Sequence, residues 1–201
     1  MSTNKTIFEK NIERVNSLCN LYFFINADDV KKGKDFKFTD ILRAAVVMLH
    51  SSFEEYYRNV LRERIFKLCN ETGLKNFSFA GSNGKHKEKI SVGDLLEYRG
   101  QTVDNLIYNS ISEELDTTSF NNFYDIASWA EKAKIDISSF KEQDTIAQLI
   151  DRRHRIVHEA DNNRGDTEYA LKPIKEKSVR DWISCVCELV SIIDLSCPEE
   201  L

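Results

Sequence analysis

Arginine and histidine are concentrated in one short run of this chain, and together these residue types suit chemistry on a phosphate ester. The run contains three arginines and two histidines and reads Asp151-Arg152-Arg153-His154-Arg155-Ile156-Val157-His158-Glu159. Arginine is permanently charged, and its planar guanidinium matches two phosphate oxygens at once. Histidine titrates near neutral pH and can therefore accept and return a proton. The run is the first candidate for a site that binds and cleaves a phosphodiester.

The spacing within the run is weak evidence by itself, because an arginine four to six positions before a histidine often arises by chance. A charged run is also most often the solvated face of a helix. Apolar residues argue against that interpretation, since Ile156 and Val157 lie inside the run and Leu149 and Ile150 precede it. They indicate a helix that packs on a core and holds its charged side chains beside that core.

The elements that must position the run are predicted to be helices, because apolar residues recur three and four positions apart, as on the buried face of a helix. The first stripe is Phe8, Ile12, Val15, Cys19 and Tyr22; the second, within 39–69, is Leu42, Val46, Leu49, Phe53, Tyr56 and Val60; the last is Trp182, Val186, Leu189 and Ile193. A polar row flanks the second stripe and comprises Arg43, His50, Glu54 and Tyr57. This row is predicted to be a helix edge that meets water.

Three serine-to-acid spacings are typical of capping boxes, in which the two side chains cap the first turn of a helix. They are Ser91-x-x-Asp94, Ser139-x-x-Glu142 and Ser178-x-x-Asp181. A shorter helix is predicted over 120–133, and no segment alternates in the manner of a β-strand. The sequence therefore predicts an all-α fold, a four-helix up-and-down bundle with short helical insertions.

Length and charge bound the function. With 201 residues, of which 41% are hydrophobic, the chain is predicted to form a single domain over 1–201. Its 28 basic and 33 acidic residues give a net charge of -5, which argues against binding nucleic acid through bulk charge. Any contact with a nucleic acid must therefore be local, and we expect no binding of DNA. The loop expected over 70–93 is where we would look for recognition of such a partner.

The cysteines indicate neither a metal site nor a disulfide framework. Their number is five, and Cys185-x-Cys187 is not a spacing that zinc sites use. No apolar stretch is long enough to span a bilayer, and the polar segment 1–10 does not resemble a secretory leader. We therefore expect a reduced, cytoplasmic protein with no metal and no cofactor.

Helix geometry separates the two residues best suited to catalysis. Arg153 and His158 are five positions apart, so on a continuous helix they point about 140° away from each other. Arg153 shares the apolar stripe of its helix and needs a partner, for which Glu54 is the candidate and Glu55 the competitor. Arg153 is preferred as the functional arginine for that reason. Arg152, which lies six positions before His158, remains the alternative.

Two segments resemble the HEPN superfamily, in its small bacterial branch. Arg153-His154-Arg155-Ile156-Val157-His158 is similar to the superfamily's signature of an arginine, a polar residue, apolar positions and a histidine. The segment from Arg43 to Tyr56 is similar to its long helix. The two matches cover two of the four main helices, and their combination is more specific than the first motif alone.

The resemblance implies a four-helix bundle that forms a two-fold homodimer. In many members of the superfamily this is a metal-independent RNA endonuclease of toxin–antitoxin or phage-defence systems. The resemblance implies that His158 transfers a proton and Arg153 stabilises the charged transition state, with Glu54 and His154 in support. The two remaining arginines of the run, Arg152 and Arg155, would bind the RNA backbone. A toxin of this kind would also have an antitoxin or another defence-system partner protein.

Two other interpretations of the motif stay open. The same bundle could be a non-catalytic module that docks a partner protein or binds a nucleotide, since one fold supports several functions. It could also be a purely structural helical protein whose charged run is solvated. The intact Arg153 and His158, with the polar His154 directly after the arginine, favour catalysis over both.

Overall fold

The computed structural model describes residues 3–31, 38–68, 71–75, 77–78, 91–163 and 171–197, and within them the chain is helical. The helices are α1 Thr3–Lys31, α2 Asp40–Leu68, α3 Glu71–Leu74, a 3₁₀ helix Asp94–Tyr98, α4 Val103–Thr117, α5 Phe123–Lys132, α6 Gln143–Glu159 and α7 Glu176–Leu195. The described residues contain no β-strand, only an isolated bridge between Asn162 and Leu171. The predicted all-α fold is confirmed.

Helix α2 is the centre of the packing. It contacts α1, α4, α5, α6 and α7, while α7 also packs on α1 and α6. All three apolar stripes predicted from the sequence are buried in the core that these helices share. Burial of each large side chain contributes about 1.5–3 kcal/mol, so the stripes supply the main driving force for this arrangement. The helix that bears the arginine–histidine run, α6, is thereby fixed against α2 and α7.

Three of the four residues of the polar row on α2 are buried and Glu54 is partly buried, so the prediction that the row meets water is wrong. Arg43, His50 and Tyr57 are 7%, 3% and 0% exposed. The prediction failed because α2 is covered by neighbours on several sides, so the flank of its apolar stripe is also enclosed. Enclosed polar groups need partners. The Tyr57 hydroxyl donates a hydrogen bond of 2.6 Å to the carbonyl of Ile126, and Arg43 bonds to residues near the end of α6.

One of the three predicted capping boxes is confirmed. The backbone N–H of Ser91 donates to the Asp94 carboxylate at 2.9 Å, and the N–H of Asp94 donates to the Ser91 hydroxyl at 3.1 Å. The box at 139–142 is wrong, because α6 begins only at Gln143. The fully buried Phe140 anchors a turn before that point and delays the helix. The box at 178–181 is also wrong, since α7 is already helical at Glu176.

The short helix predicted over 120–133 is confirmed as α5. Its N-cap is Asn122, whose side chain accepts a hydrogen bond of 2.9 Å from the N–H of Asp125. This cap fixes Asn121 and Asn122 at the start of the helix, where they border the site described below. Most of the loop predicted over 70–93 lies outside the described residues. No helix in the described part of the chain is long and apolar enough to cross a membrane.

Candidate functional site

The arginine–histidine run forms the last turns of α6. The helix continues unbroken through His158 to Glu159 and ends where Ala160 and Asp161 adopt left-handed backbone angles, with φ of 50° and 56°. Because the helix is continuous, Arg153 and His158 point about 140° apart, as the sequence predicted. A single chain therefore does not bring these two side chains together.

Arg152 belongs to a buried cluster with Arg43 and Asp161, which we call the Asp161 cluster. Arg152 Nη2 lies 2.6 Å from Asp161 Oδ2, and Arg43 Nε lies 2.7 Å from the same oxygen. Both arginines also donate to the backbone carbonyl of Lys172, at 2.8 and 2.9 Å. The side chain of Asp161 is 0% exposed and those of both arginines are 8% exposed. The cluster thus joins α2, the end of α6 and the segment before α7.

The Asp161 cluster bears on which arginine is the functional one. The guanidinium of Arg152 is enclosed and hydrogen-bonded inside the protein, so its N–H donors are not free to bind an RNA phosphate. Burial lowers the pKa of Arg152, while the adjacent Asp161 carboxylate acts in the opposite direction. Sequence reasoning missed Asp161, although a carboxylate shortly after the arginine run was visible as a possible partner. These contacts assign Arg152 a structural place and favour Arg153 as the functional arginine.

Arg153 lines a cleft of about 250 Å³ between α6, α2 and the start of α5, which we call the Arg153 cleft. The lining residues are His50, Asn121, Asn122, Ala147, Ile150, Asp151, Arg153 and His154. The Nε atom of Arg153 is buried without a hydrogen-bond partner, and its guanidinium forms no ion pair with any described residue. A cation held in this way can bind an anion without first giving up another partner. Asparagine amides opposite it add further donors.

The sequence predicted Glu54 as the partner of Arg153, but the two side chains form no direct ion pair, and Arg153 acts on Glu54 only as a nearby positive charge. The carboxylate is 3.5 Å from His50 Nδ1 and 3.7 Å from Arg58 Nη2. Burial alone would raise the pKa of Glu54, but His50, Arg58 and Arg153 together hold it below its ordinary value. The competitor Glu55 is exposed. His50 was visible in the sequence as part of the polar row, and its spacing of four before Glu54 was the signal for the pairing.

The depressed pKa of Glu54 gives a testable pH dependence. A carboxyl group whose pKa is lower in the folded than in the unfolded protein stabilises the fold above its ordinary value of 4.5. That stabilisation is lost as the pH falls through the folded-state value. We therefore expect Glu54→Gln to lower the free energy of unfolding at pH 7, with the difference from wild type shrinking below about pH 4.5.

Urea unfolding of wild type and Glu54→Gln between pH 3 and 7 measures this difference. Glu55→Gln is the matched control, because it removes the same charge from the exposed neighbouring position and should change stability little across the series. An equal loss of stability in both variants at pH 7 would contradict the role given to Glu54.

Both histidines of the run are exposed and lie together on the outer face of α6. The ring centroids of His154 and His158 are 4.6 Å apart, as expected for residues one turn apart. His154 also lines the Arg153 cleft, so the histidine pair extends from that cleft along the helix surface. Arg155 lies on the same face, where its Nε forms an exposed ion pair of 3.0 Å with Asp151. These side chains are accessible to a macromolecular substrate.

The arrangement supplies the groups for acid–base chemistry on a phosphate ester. Arg153 offers a fixed positive charge in a recess, and the imidazole of His154 lines the same recess, where it can exchange protons with a bound group. The imidazole of His158 lies one turn further along the outer face of α6. Among the described residues, no group of three or more His, Cys, Asp or Glu side chains is arranged to hold a metal ion. The Arg153 cleft with its adjoining histidines is therefore the candidate site.

A family model described as RiboL-PSP-HEPN matches residues 8–198, which include every helix of the site. Neither the curated proteins nor the solved structures gave a match.

Proposed function

Because the chain belongs to the RiboL-PSP-HEPN family, and so to the HEPN superfamily, we propose that it is a metal-independent RNA endonuclease. The observation that supports this most is the guanidinium of Arg153, which has no ion pair among the described residues and lies in a cleft that His154 also lines. A phosphate group of RNA fits the cation, and the exposed pair His154 and His158 extends from this cleft along α6.

In the proposed reaction the RNA supplies its own nucleophile. A base removes the proton of the 2′-hydroxyl, the oxygen attacks the adjacent phosphorus, and an acid protonates the departing 5′-oxygen. The products are a 2′,3′-cyclic phosphate and a free 5′-hydroxyl. We assign proton transfer to His158 and stabilisation of the negative charge that develops on the phosphate to Arg153. Glu54 orients the arginine electrostatically, His154 supports the histidine, and Arg155 contacts the RNA backbone.

The separation of Arg153 and His158 supports a dimer as the active form. One chain presents one His158, yet the reaction needs both a base and an acid. A two-fold axis next to the exposed face of α6 would place the His158 of each copy near the Arg153 cleft of the other. We therefore propose an up-and-down four-helix bundle over 1–201, formed by α1, α2, α6 and α7, that works as a homodimer. A cytoplasmic toxin or phage-defence effector, controlled by a partner protein, is the biological role we propose.

Cleavage of total RNA in the presence of EDTA tests the proposal. We expect purified protein to produce fragments that end in 2′,3′-cyclic phosphate, at a rate that the chelator leaves unchanged, because protein side chains supply all the chemistry. Mapping of the fragment ends by sequencing would identify the substrate. Intact RNA after prolonged incubation, together with tight binding of a partner protein or nucleotide, would instead establish the non-catalytic alternative.

A further inference from the structure

A second pocket lies on the opposite side of the exposed ridge of α6. It has a volume of about 240 Å³ and lies between α6, the segment before α7 and the first turns of α7. Its apolar wall consists of Pro173, Ile174 and Trp182, and its polar rim includes Gln148, Asp151 and Ser178. Arg152 and Lys172 of the Asp161 cluster complete the lining. We call it the Trp182 pocket. Asp151 borders both this pocket and the Arg153 cleft, so the two recesses are neighbours along the helix surface.

The wall of the Trp182 pocket is held rigidly by the Asp161 cluster. Lys172, at the pocket edge, accepts hydrogen bonds from Arg43 and Arg152 at its carbonyl and donates one of 2.9 Å from its N–H to the carbonyl of Asp161. Pro173 follows directly and has a restricted backbone. The pocket is therefore formed before any ligand binds, which lowers the entropic cost of binding.

From this geometry we infer that the Trp182 pocket binds a base of the RNA next to the phosphate held by Arg153. Proteins read single-stranded RNA by enclosing splayed bases between apolar or aromatic surfaces and bonding to their polar edges. The pocket offers an apolar wall with one indole and a polar rim, and it adjoins a separate cationic recess for phosphate. This inference adds a base preference to the proposed endonuclease. Its cleavage test rests on the proposed function, because that test requires the protein to cleave RNA.

The rim chemistry favours guanine. An ionised carboxylate such as Asp151 accepts hydrogen bonds and cannot donate them, so the base edge that meets it must present N–H groups. Guanine presents two adjacent N–H donors and a neighbouring carbonyl acceptor, which the Gln148 amide can satisfy. Uracil presents a single N–H between two carbonyls, and adenine and cytosine present one amino group. Asp151 Oδ2 also accepts from Arg155, which fixes the carboxylate, and both oxygens keep a lone pair for the two N–H groups of guanine.

The cleavage test compares the bases found around each cut. We expect the fragments produced by wild-type protein to be enriched in guanine at one fixed position next to the cut. Asp151→Asn should reduce that enrichment roughly tenfold, because it replaces one acceptor oxygen by an NH2 group that faces an N–H donor of guanine. Gln148→Ala should reduce it as well. Asp144→Asn and Gln143→Ala are matched controls, since both positions are exposed on the first turn of α6, line neither recess and should leave the enrichment unchanged.

A binding measurement separates this inference from the proposed function. Trp182 is a fluorescent group in the pocket, and Trp129→Phe leaves it as the one tryptophan of the chain. We expect guanosine monophosphate to change its emission at a concentration roughly tenfold lower than uridine monophosphate, with the difference lost in Asp151→Asn. Selective binding without RNA cleavage would uphold the pocket and reject the endonuclease. Cleavage with unchanged base preference in Asp151→Asn and Gln148→Ala would reject the pocket alone.

Discussion

Replacing His158 by alanine is expected to lower the rate of RNA cleavage by at least about a hundredfold, because proton transfer by a positioned side chain contributes roughly that much or more. The fold should tolerate the change. His158 is exposed on the last turn of α6, and the contact described for its ring is with His154 at 4.6 Å. Stability should therefore stay within about 0.5 kcal/mol of wild type. Single-turnover cleavage, thermal unfolding and size-exclusion chromatography measure the three properties separately.

The same variant tests the dimer. If each reaction needs the His158 of both copies, a dimer with one altered subunit is inactive. An equal mixture of freely exchanging wild-type and His158→Ala subunits would then keep about a quarter of the wild-type rate, since that fraction of dimers is unaltered. A rate near one half would show that each reaction needs only one His158. Asp144→Asn is the control, because it alters an exposed position on the first turn of α6 that lines neither recess. Cleavage at the wild-type rate in His158→Ala would contradict the proposed role.

The helical core was predictable from the sequence because the spacing of apolar residues within each segment identifies the buried face of that helix. Positions such as Val15, Leu49 and Val186 repeat with the period of the helix, and all three are fully buried where the pattern placed them. The proximity of Glu54 to Arg153 was also predicted from the sequence, because both residues lie on helix faces directed toward the core.

The environment of the polar row on α2 could not be predicted in the same way. A periodicity identifies the face that packs most tightly, but it does not say how many neighbours a helix will have. Arg43 looked like a residue at a water-facing edge, and it is buried against a carboxylate that lies 118 positions later in the chain. That carboxylate, Asp161, faces inward only because α6 ends in a left-handed turn. Contacts of this kind depend on tertiary structure.

Replacing Arg152 and Arg153 by alanine, one at a time, should show which arginine stabilises the fold and which acts in RNA cleavage. Arg152→Ala removes one of two cations that share the buried Asp161 carboxylate. Because Arg43 still pairs with that carboxylate, we expect a loss of about 1.5–3 kcal/mol from the missing charged hydrogen bonds. Arg153→Ala removes a guanidinium that has no ion pair among the described residues, and Glu54 retains His50 and Arg58 as neighbours. Its stability should change by about 1 kcal/mol or less. Its cleavage rate should fall by about a hundredfold or more, because the phosphate loses its fixed positive charge.

Urea unfolding and single-turnover cleavage of the two variants together decide which arginine acts in the reaction. Arg155→Ala is the matched control, since its ion pair with Asp151 is exposed and worth little to stability. Arg153→Lys adds a second test, because it keeps the charge but loses the planar fork and should recover only part of the activity. The assignment fails if Arg153→Ala unfolds as easily as Arg152→Ala. The activity of Arg152→Ala is measured at a temperature at which this variant is folded. The assignment also fails if Arg152→Ala then loses as much activity as Arg153→Ala. That result would mean that the buried Arg152 acts on the substrate as well as stabilising the fold.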